Sequence, residues 1–386
     1  MQAPTRNMTE RKCSLPIFVI ACFMVLCRLS KTTPSRMHHA FSIRNLFHLP
    51  MWVLLVCSWV QCGPSTPPIE TDGVTLPTSF QEVNWMEVLE TMPLDSGRNV
   101  TLSHLQEAHP GFWKAWSEEV LQLGPSDDTL TVDMTLRFLE EMAPMMAAID
   151  TTSGEEGHLA QQSEQLQEAL KRHLVLFPDA EVPDVVWMPS GFNFALYPTP
   201  EWVGIGLDWF MEPNHPLHQE LPSHRFPRYR LQRMRSAWMA TDALRGWLLV
   251  QHQNRIPSSP RTVDMLLFWG QIMELTSICF PHTSPAQLMN WSEEEWTWAE
   301  ANERSIWSEV QPQSVMFNKQ PREVMRWFQE GPFTRAEGLP QSCPDRLGVY
   351  LGWKMVQARR GNHAALDMAS WWTPTDPNPF LRAYRP

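Results

Sequence analysis

With 386 residues, 43% of them hydrophobic and 19% charged, the chain has enough apolar material for a large core, which excludes a disordered polymer. A formal net charge of −11 and a pI near 5.6 exclude an electrostatic nucleic-acid binder, because such proteins gather positive charge to displace counterions from phosphates. Nineteen Trp against four Tyr, together with 34 Pro, imply an aromatic-rich core built from many proline-terminated elements.

Two short apolar runs open the sequence, Leu15 to Cys27 behind Arg11 and Lys12, and Leu49 to Val60 behind Arg44 and His48. Each is shorter than the ~20 residues that a bilayer-spanning helix needs, and each has the length of a signal-peptide core behind a positive n-region. The second run leads into Gln61-Cys62-Gly63 and then the turn-rich Pro64 to Pro68, as in a lipoprotein signal followed by a tether. Cys62 is the expected acylation site, with Cys57 as the alternative, because Gln61 is larger than the residue usually found before such a cysteine. Two acyl chains, each gaining ~0.8 kcal/mol per buried methylene, would make the anchor stable. A signal of ordinary length would begin at Met37. The organisation expected is therefore an export segment over 1–62, a flexible tether over 63–80 and a globular domain over 81–386.

The spacing of Leu130, Met134, Phe138 and Met142 predicts a helix, and so does that of Leu159, Leu166, Leu170 and Leu174. Between Pro183 and Met211 the pattern turns to β: Val185 to Met188, Phe192 to Tyr197 and Trp202 to Leu207, punctuated by Pro189, Pro198 and Pro200. Further helices are expected over Tyr229 to His252, Val263 to Phe280, 292–310, Gln320 to Gln329 and Asp345 to Arg360. Ser292 and Glu295 form a capping box flanked by Trp291 and Trp296 at the staple positions. Gly348 and Gly352, one turn apart, allow a second backbone to come close. The fold class is α+β, mainly helical, with short strands between helices.

That order is compatible with a zincin peptidase, but the His-Glu-x-x-His motif that would grip zinc is absent. Loop histidines His215, His218 and His224 are expected to be solvated or locally hydrogen-bonded. Glu274, in an apolar helix, needs a cationic partner, and Arg245 or Arg235 is the candidate. The arginines at 225, 228, 230, 233 and 235 read as a solvated helix face. Cys279 and Cys343 are the pair available for a disulfide in an oxidising compartment, although two cysteines in such a long body give no framework. No cofactor, metal or catalytic group is called for.

Four ordered passages carry a family resemblance: Ile205-Gly206-Leu207-Asp208-Trp209-Phe210; Glu293-Glu294-Glu295-Trp296 through Glu303 to Trp307; Gly331-Pro332-Phe333-Thr334; and Pro344-Asp345-Arg346 through Gly348 to Gly352-Trp353. Over about Leu166 to Pro386 the chain resembles the gliding-motility lipoprotein GldB family. The resemblance marks Gly206, Asp208, Gly331, Pro332, Gly348 and Gly352 as framework residues. It implies a lipid-anchored envelope protein facing the periplasm, with envelope partners in the gliding and associated secretion machinery. It also implies a degenerate zincin-like scaffold without the ligands, since Trp269 stands where peptidase relatives place an acidic residue before the glycine. The competing expectation is a residual zinc peptidase using His215, His218 and Glu274.

Overall fold

Val185-Val186-Trp187-Met188 and Trp202-Val203-Gly204-Ile205 are apolar without alternation, the pattern of strands covered on both faces. In the computed structural model, which describes residues 68–90, 102, 106–152 and 158–386, they lie at the centre of a four-stranded sheet. Its strands are β1 (Glu82–Asn84), β2 (Asp184–Met188), β3 (Leu196–Pro198) and β4 (Trp202–Gly206), in the spatial order β1-β2-β4-β3. The first three neighbours run parallel, with Val185 opposite Val203, and β3 returns antiparallel on the outer edge. Pro198 sits on that edge strand, where a missing N–H disturbs no inner ladder. β1, which the sequence did not reveal, is held by Glu82, whose carboxylate accepts from Trp187 Nε1 at 2.6 Å, Ser163 Oγ at 2.9 Å and Gln167 Nε2 at 2.7 Å.

The strand expected over Phe192 to Tyr197 is shorter, because residues 190–194 turn around Asp208 instead. That buried carboxylate accepts from Ser190 N at 2.8 Å, Ser190 Oγ at 2.9 Å and Phe192 N. Burial raises its pKa above the usual carboxylate range in spite of those donors. Gly206, the last residue of β4 and two residues before it, faces Ser190 and the Phe194 carbonyl with no room for a side chain. Asp208 and Gly206 thus fix the crossover from β2 to β4.

The helices used below are α1 (Thr129–Thr152), α2 (His158–Leu176), α3 (Met239–Gln251), α4 (Thr262–Cys279), α5 (Glu293–Ala301), α6 (Glu303–Val310) and α7 (Leu347–Arg360). α4 is apolar almost all round, as a helix buried on every side must be, and α2, α3 and α7 all pack against it. The single helix expected over Tyr229 to His252 is broken, since Arg235 is extended and the Ser236 hydroxyl donates to Glu212 Oε1 at 2.7 Å. Likewise the helix over 292–310 divides at Asn302, and that expected from Gln320 keeps helical form only over Pro321–Met325. The capping box forms, with Ser292 Oγ accepting from Glu295 N, and Trp291 meets Trp296 at 6.3 Å between ring centroids.

Pro64–Pro386 is one compact unit. Within the stretch read as a tether, Ile69, Leu76 and Phe80 pack against the core, and the Thr71 hydroxyl donates to Glu168 Oε2 at 2.9 Å. Cys57, Cys62 and the rest of the export segment lie outside the described residues. Among the described residues no helix is long and apolar enough to cross a membrane.

Glu274, completely buried on α4, accepts from Trp353 Nε1 at 2.8 Å and pairs with Arg360, not with Arg245 or Arg235. Its partner comes from α7, a neighbour in space that spacing along α4 could not identify. Cys279 and Cys343 are separate free thiols, both buried, so the disulfide is not formed. Burial pushes the Cys279 thiol up to about 12, which keeps it protonated and unreactive.

His173 on α2 is buried between Phe177, at 4.7 Å between centroids, and Trp247, at 5.0 Å, and neither of its ring nitrogens has a partner. Burial, helped by His252, holds its pKa down at about 3, and burial with Arg255 nearby holds His252 at about 4. Both histidines stay neutral in the fold and take up protons on unfolding below pH 6.5. Stability is therefore full above that pH and falls as the pH drops toward 4 and then 3, at about 1.4 kcal/mol per pH unit for His173. Urea midpoints measured from pH 7 to pH 4 should show this slope and should flatten in His173→Phe; an equal slope in the variant would refute the assignment.

Candidate functional site

Arg346 has φ 52, a left-handed conformation that cannot continue a helix backwards, so α7 starts at Leu347 and not at Asp345. The two N–H groups that open α7 find partners outside it. Leu347 N donates to Thr334 Oγ1 at 3.1 Å, and Gly348 N donates to the Trp327 carbonyl at 2.8 Å. Thr334 N in turn donates to the Pro344 carbonyl at 3.0 Å. The Gly331-to-Thr334 passage is thereby fastened to the Pro344-to-Gly352 passage.

The turn at Arg346 directs the Asp345 side chain inward, where it is fully buried. Its Oδ1 accepts from Trp291 Nε1 and from Arg346 Nε, each at 3.1 Å. Its Oδ2 accepts from Gly331 N at 2.8 Å and from Arg233. Four donors fill the positions a carboxylate offers, so the group is saturated. Burial alone would raise its pKa, but the Arg346 and Arg233 guanidiniums and the Gly331 N–H outweigh burial and hold it at about 2. Asp345 is therefore ionised throughout the physiological range and has no open position from which to take or give a proton.

A second ion pair stands beside the first. On α3, Asp242 pairs with Arg245 one turn on, and Asn290, at φ 53, donates from its amide nitrogen to the two Asp242 oxygens, at 2.9 and 2.8 Å. Segment 288–291 links the two pairs, since Arg245 Nη1 donates to the Leu288 carbonyl, Arg346 Nη2 donates to Met289 O at 2.6 Å, and Trp291 reaches Asp345.

Above this network lies a polar cleft of about 370 Å³, walled by Tyr229, Arg233, Arg235, Trp238, Asn290 and the Gly331-Pro332 turn, with Ser292 and Glu295 at one side. Arg233 spans cleft and floor, because it also lies 3.8 Å from Glu295. The arginine run is thus not one solvated helix face: only Arg228–Leu231 is helical, and Arg233 turns inward to Asp345.

Of the framework residues, Gly331 and Pro332 form the cleft wall, and Gly348 lies beneath it against Trp327 and Phe328. Gly352 is a turn further along α7 and touches α4, while Gly206 and Asp208 belong to the strand crossover away from this network. Sequence reasoning did not single out Asp242 or Asn290, and it gave Arg245 to Glu274 and Arg233 to a solvated face. A signal was available in Asp242 and Arg245, opposite charges at i and i+3 on an otherwise apolar helix face.

The histidines do not join the cleft. His215 Nδ1 accepts from Leu217 N at 3.2 Å and His218 Nδ1 lies 3.0 Å from the Pro213 carbonyl; both side chains are buried, and His224 is exposed. Among the described residues no group of three or more His, Cys, Asp or Glu side chains is placed to hold a metal ion, so His215, His218 and Glu274 are not assembled into a ligand set. Trp269 is half-buried against Phe268, and the neighbouring Gln271 amide donates to the carbonyls of Trp371, Trp372 and Pro374 at 2.9–3.0 Å.

No curated protein and no solved structure matches this chain. A family model described as gliding motility protein GldB matches residues 82–386, a span that contains the sheet, the Asp345 network and every cleft residue. By that match over most of its length, the chain belongs to the gliding motility protein GldB family.

Proposed function

We propose that the protein is a non-catalytic, lipid-anchored component of the gliding machinery and its associated secretion system, held to the membrane through Cys62 and facing the periplasm. Membership of the family over residues 82–386 is the observation that carries this reading. The saturated Asp345 carboxylate supports the non-catalytic part, since a general acid or base needs a free position and a pKa near the working pH. The protein then acts by presenting a rigid surface to envelope partners, with the two ion pairs fixing the geometry of the cleft.

The anchor and the absence of catalysis are tested separately. Labelled palmitate should enter the wild-type protein and Cys57→Ser but not Cys62→Ser; labelling that survives in Cys62→Ser and vanishes in Cys57→Ser would move the anchor to Cys57. The purified protein should contain no stoichiometric zinc and should melt at the same temperature after chelation. Stoichiometric zinc whose removal lowers the melting temperature would support a peptidase with other ligands instead.

A further inference from the structure

The spacing of Leu130, Asp133, Met134, Arg137 and Glu141 puts all five on one face of α1, and all five are exposed. The opposite face carries the buried Thr131, Thr135 and Met142, with the Phe138 ring beside them 6.4 Å from that of Trp116. Leu130 is 60% exposed and Met134 36%, two of only four large apolar side chains that stand open among the described residues. A lone exposed apolar residue is ordinary, but two at i and i+4 make a stripe open to solvent on a helix that is otherwise amphipathic. The stripe is rimmed by negative charge. Residues 127–141 hold five acids, Asp127, Asp128, Asp133, Glu140 and Glu141, against Arg137 alone, a net charge of −4. Asp127, Asp128, Asp133 and Glu141 are exposed and form no ion pair among the described residues.

The arginine run is the counterpart of this strip. No acidic residue occurs from Leu221 to Thr241, and of the five arginines there only Arg233 is in an ion pair among the described residues. Arg225, Arg228 and Arg235 are exposed. Both strips border one turn. Phe138 of α1 comes within 3.0 Å of where a Cβ on Gly191 would stand, and α1 touches Leu207–Trp209. From the arginine run, Arg225 Nη2 donates to the Phe192 carbonyl and to Asn193 Oδ1, each at 3.4 Å, and Arg230 lies 5.8 Å from the Trp209 ring centroid. The fold thus sets an acidic and a basic strip side by side without letting them neutralise each other.

Neighbouring patches of opposite sign are self-complementary. A two-fold axis lays the acidic strip of each copy on the basic strip of the other, and the contact is made twice. A foreign partner would need the same two patches in the same order, whereas a second copy has them by construction. Surface ion pairs contribute little singly, so Leu130 and Met134 supply the centre of the contact and the charges set its register. The net charge of −11 repels two copies, but that repulsion is spread over the whole surface and is screened beyond ~10 Å at about 0.1 M salt, while facing charges lie closer than that.

We propose that this surface binds a second copy of the chain across a two-fold axis, α1 of each protomer lying against residues 225–235 of its partner. The association depends neither on the anchor nor on a role in gliding, so either reading can fail alone.

The test is the protein mass in solution, measured by light scattering on the detergent-solubilised full-length protein and its variants. The wild type should be dimeric at about 50 μM in about 0.15 M salt. Arg225→Glu with Arg228→Glu, and Asp133→Arg with Glu141→Arg, should each weaken the dimer at least tenfold at an unchanged melting temperature, since all four side chains are exposed. Leu130→Ser with Met134→Ser should weaken it at least tenfold as well. An equal mixture of the two charge-reversed proteins should regain the dimer mass, because the unlike pairing restores opposite charge at both contacts. That recovery would exclude misfolding of either variant and clustering through shared micelles. A monomeric wild type, a dimer indifferent to both charge reversals or to the Leu130 and Met134 change, or a mixture that stays monomeric would each overturn the proposal.

Discussion

Asp345→Asn is expected to lower the stability of the folded protein by about 3–5 kcal/mol, the loss that follows when one member of a buried ion pair is removed and the other is left charged. The Asn keeps the shape of the side chain but not its charge, and Arg233 and Arg346 are left without their shared counter-ion. One of its two polar atoms becomes a donor facing donors, so Gly331 N and Arg233, or Trp291 Nε1 and Arg346, lose an acceptor. Equilibrium urea unfolding gives the number directly, as a fall in midpoint at unchanged slope. The wild-type contribution has its own pH signature. Because the folded pKa is depressed to about 2, the stability from Asp345 is complete above the ordinary carboxylate range near pH 3.8 and is lost as the pH falls from there toward 2. The histidine window ends near pH 3, so the two overlap only between pH 3.8 and 3, and the loss between pH 3 and 2 belongs to Asp345. A loss under about 1 kcal/mol, the size of a surface pair, would mean that Asp345 does not hold the network together.

Gly352→Ala should also destabilise, which is the opposite of what helix propensity alone gives. In the middle of an exposed helix this change gains about 1 kcal/mol. Here a Cβ on Gly352 would overlap the Leu266 carbonyl oxygen of α4 and lie 2.9 Å from the carbonyl carbon. Gly270 faces it in return, its own position closed by the Gly352 carbonyl. Both obstacles are backbone, which cannot rotate aside, so α7 must move off α4. With it would move Trp353 and Arg360, the two groups that satisfy Glu274. A cost of about 3 kcal/mol or more is expected, at the upper end for overpacking. Gly331→Ala is the matched control, because the nearest atom to a Cβ there is 3.6 Å away and the N–H to Asp345 is kept. It should cost less than about 1 kcal/mol. Equal effects from the two would show that the close approach of α4 and α7 carries no special weight.

Much of this architecture was legible because its causes are local. Continuous apolar runs gave β2 and β4, the capping box gave the start of α5, and the glycine pair on α7 predicted a close helix contact that Leu266 supplies. What could not be read were partnerships across the chain. Glu274 pairs with Arg360, 86 residues on, and no property of α4 distinguishes that arginine from Arg245. Asp345 appeared as the first residue of a helix, and only the left-handed turn at Arg346 sends it inward to Arg233, 112 residues away. The arginine run misled for the same reason: Arg233 reaches the floor and Arg235 walls the cleft. Two of the family passages, Gly331 to Thr334 and Pro344 to Gly352, did point to the place, since they are fastened to one another there.

The measurement that bears most directly on the account is the speed of single cells on glass in a strain lacking the gene, complemented with the wild-type gene or with Cys62→Ser. The account predicts that movement is lost on deletion, returns with the wild type and does not return with Cys62→Ser at equal protein level. Unimpaired movement after deletion, or full recovery with a protein that carries no acyl chain, would contradict an anchored role in gliding.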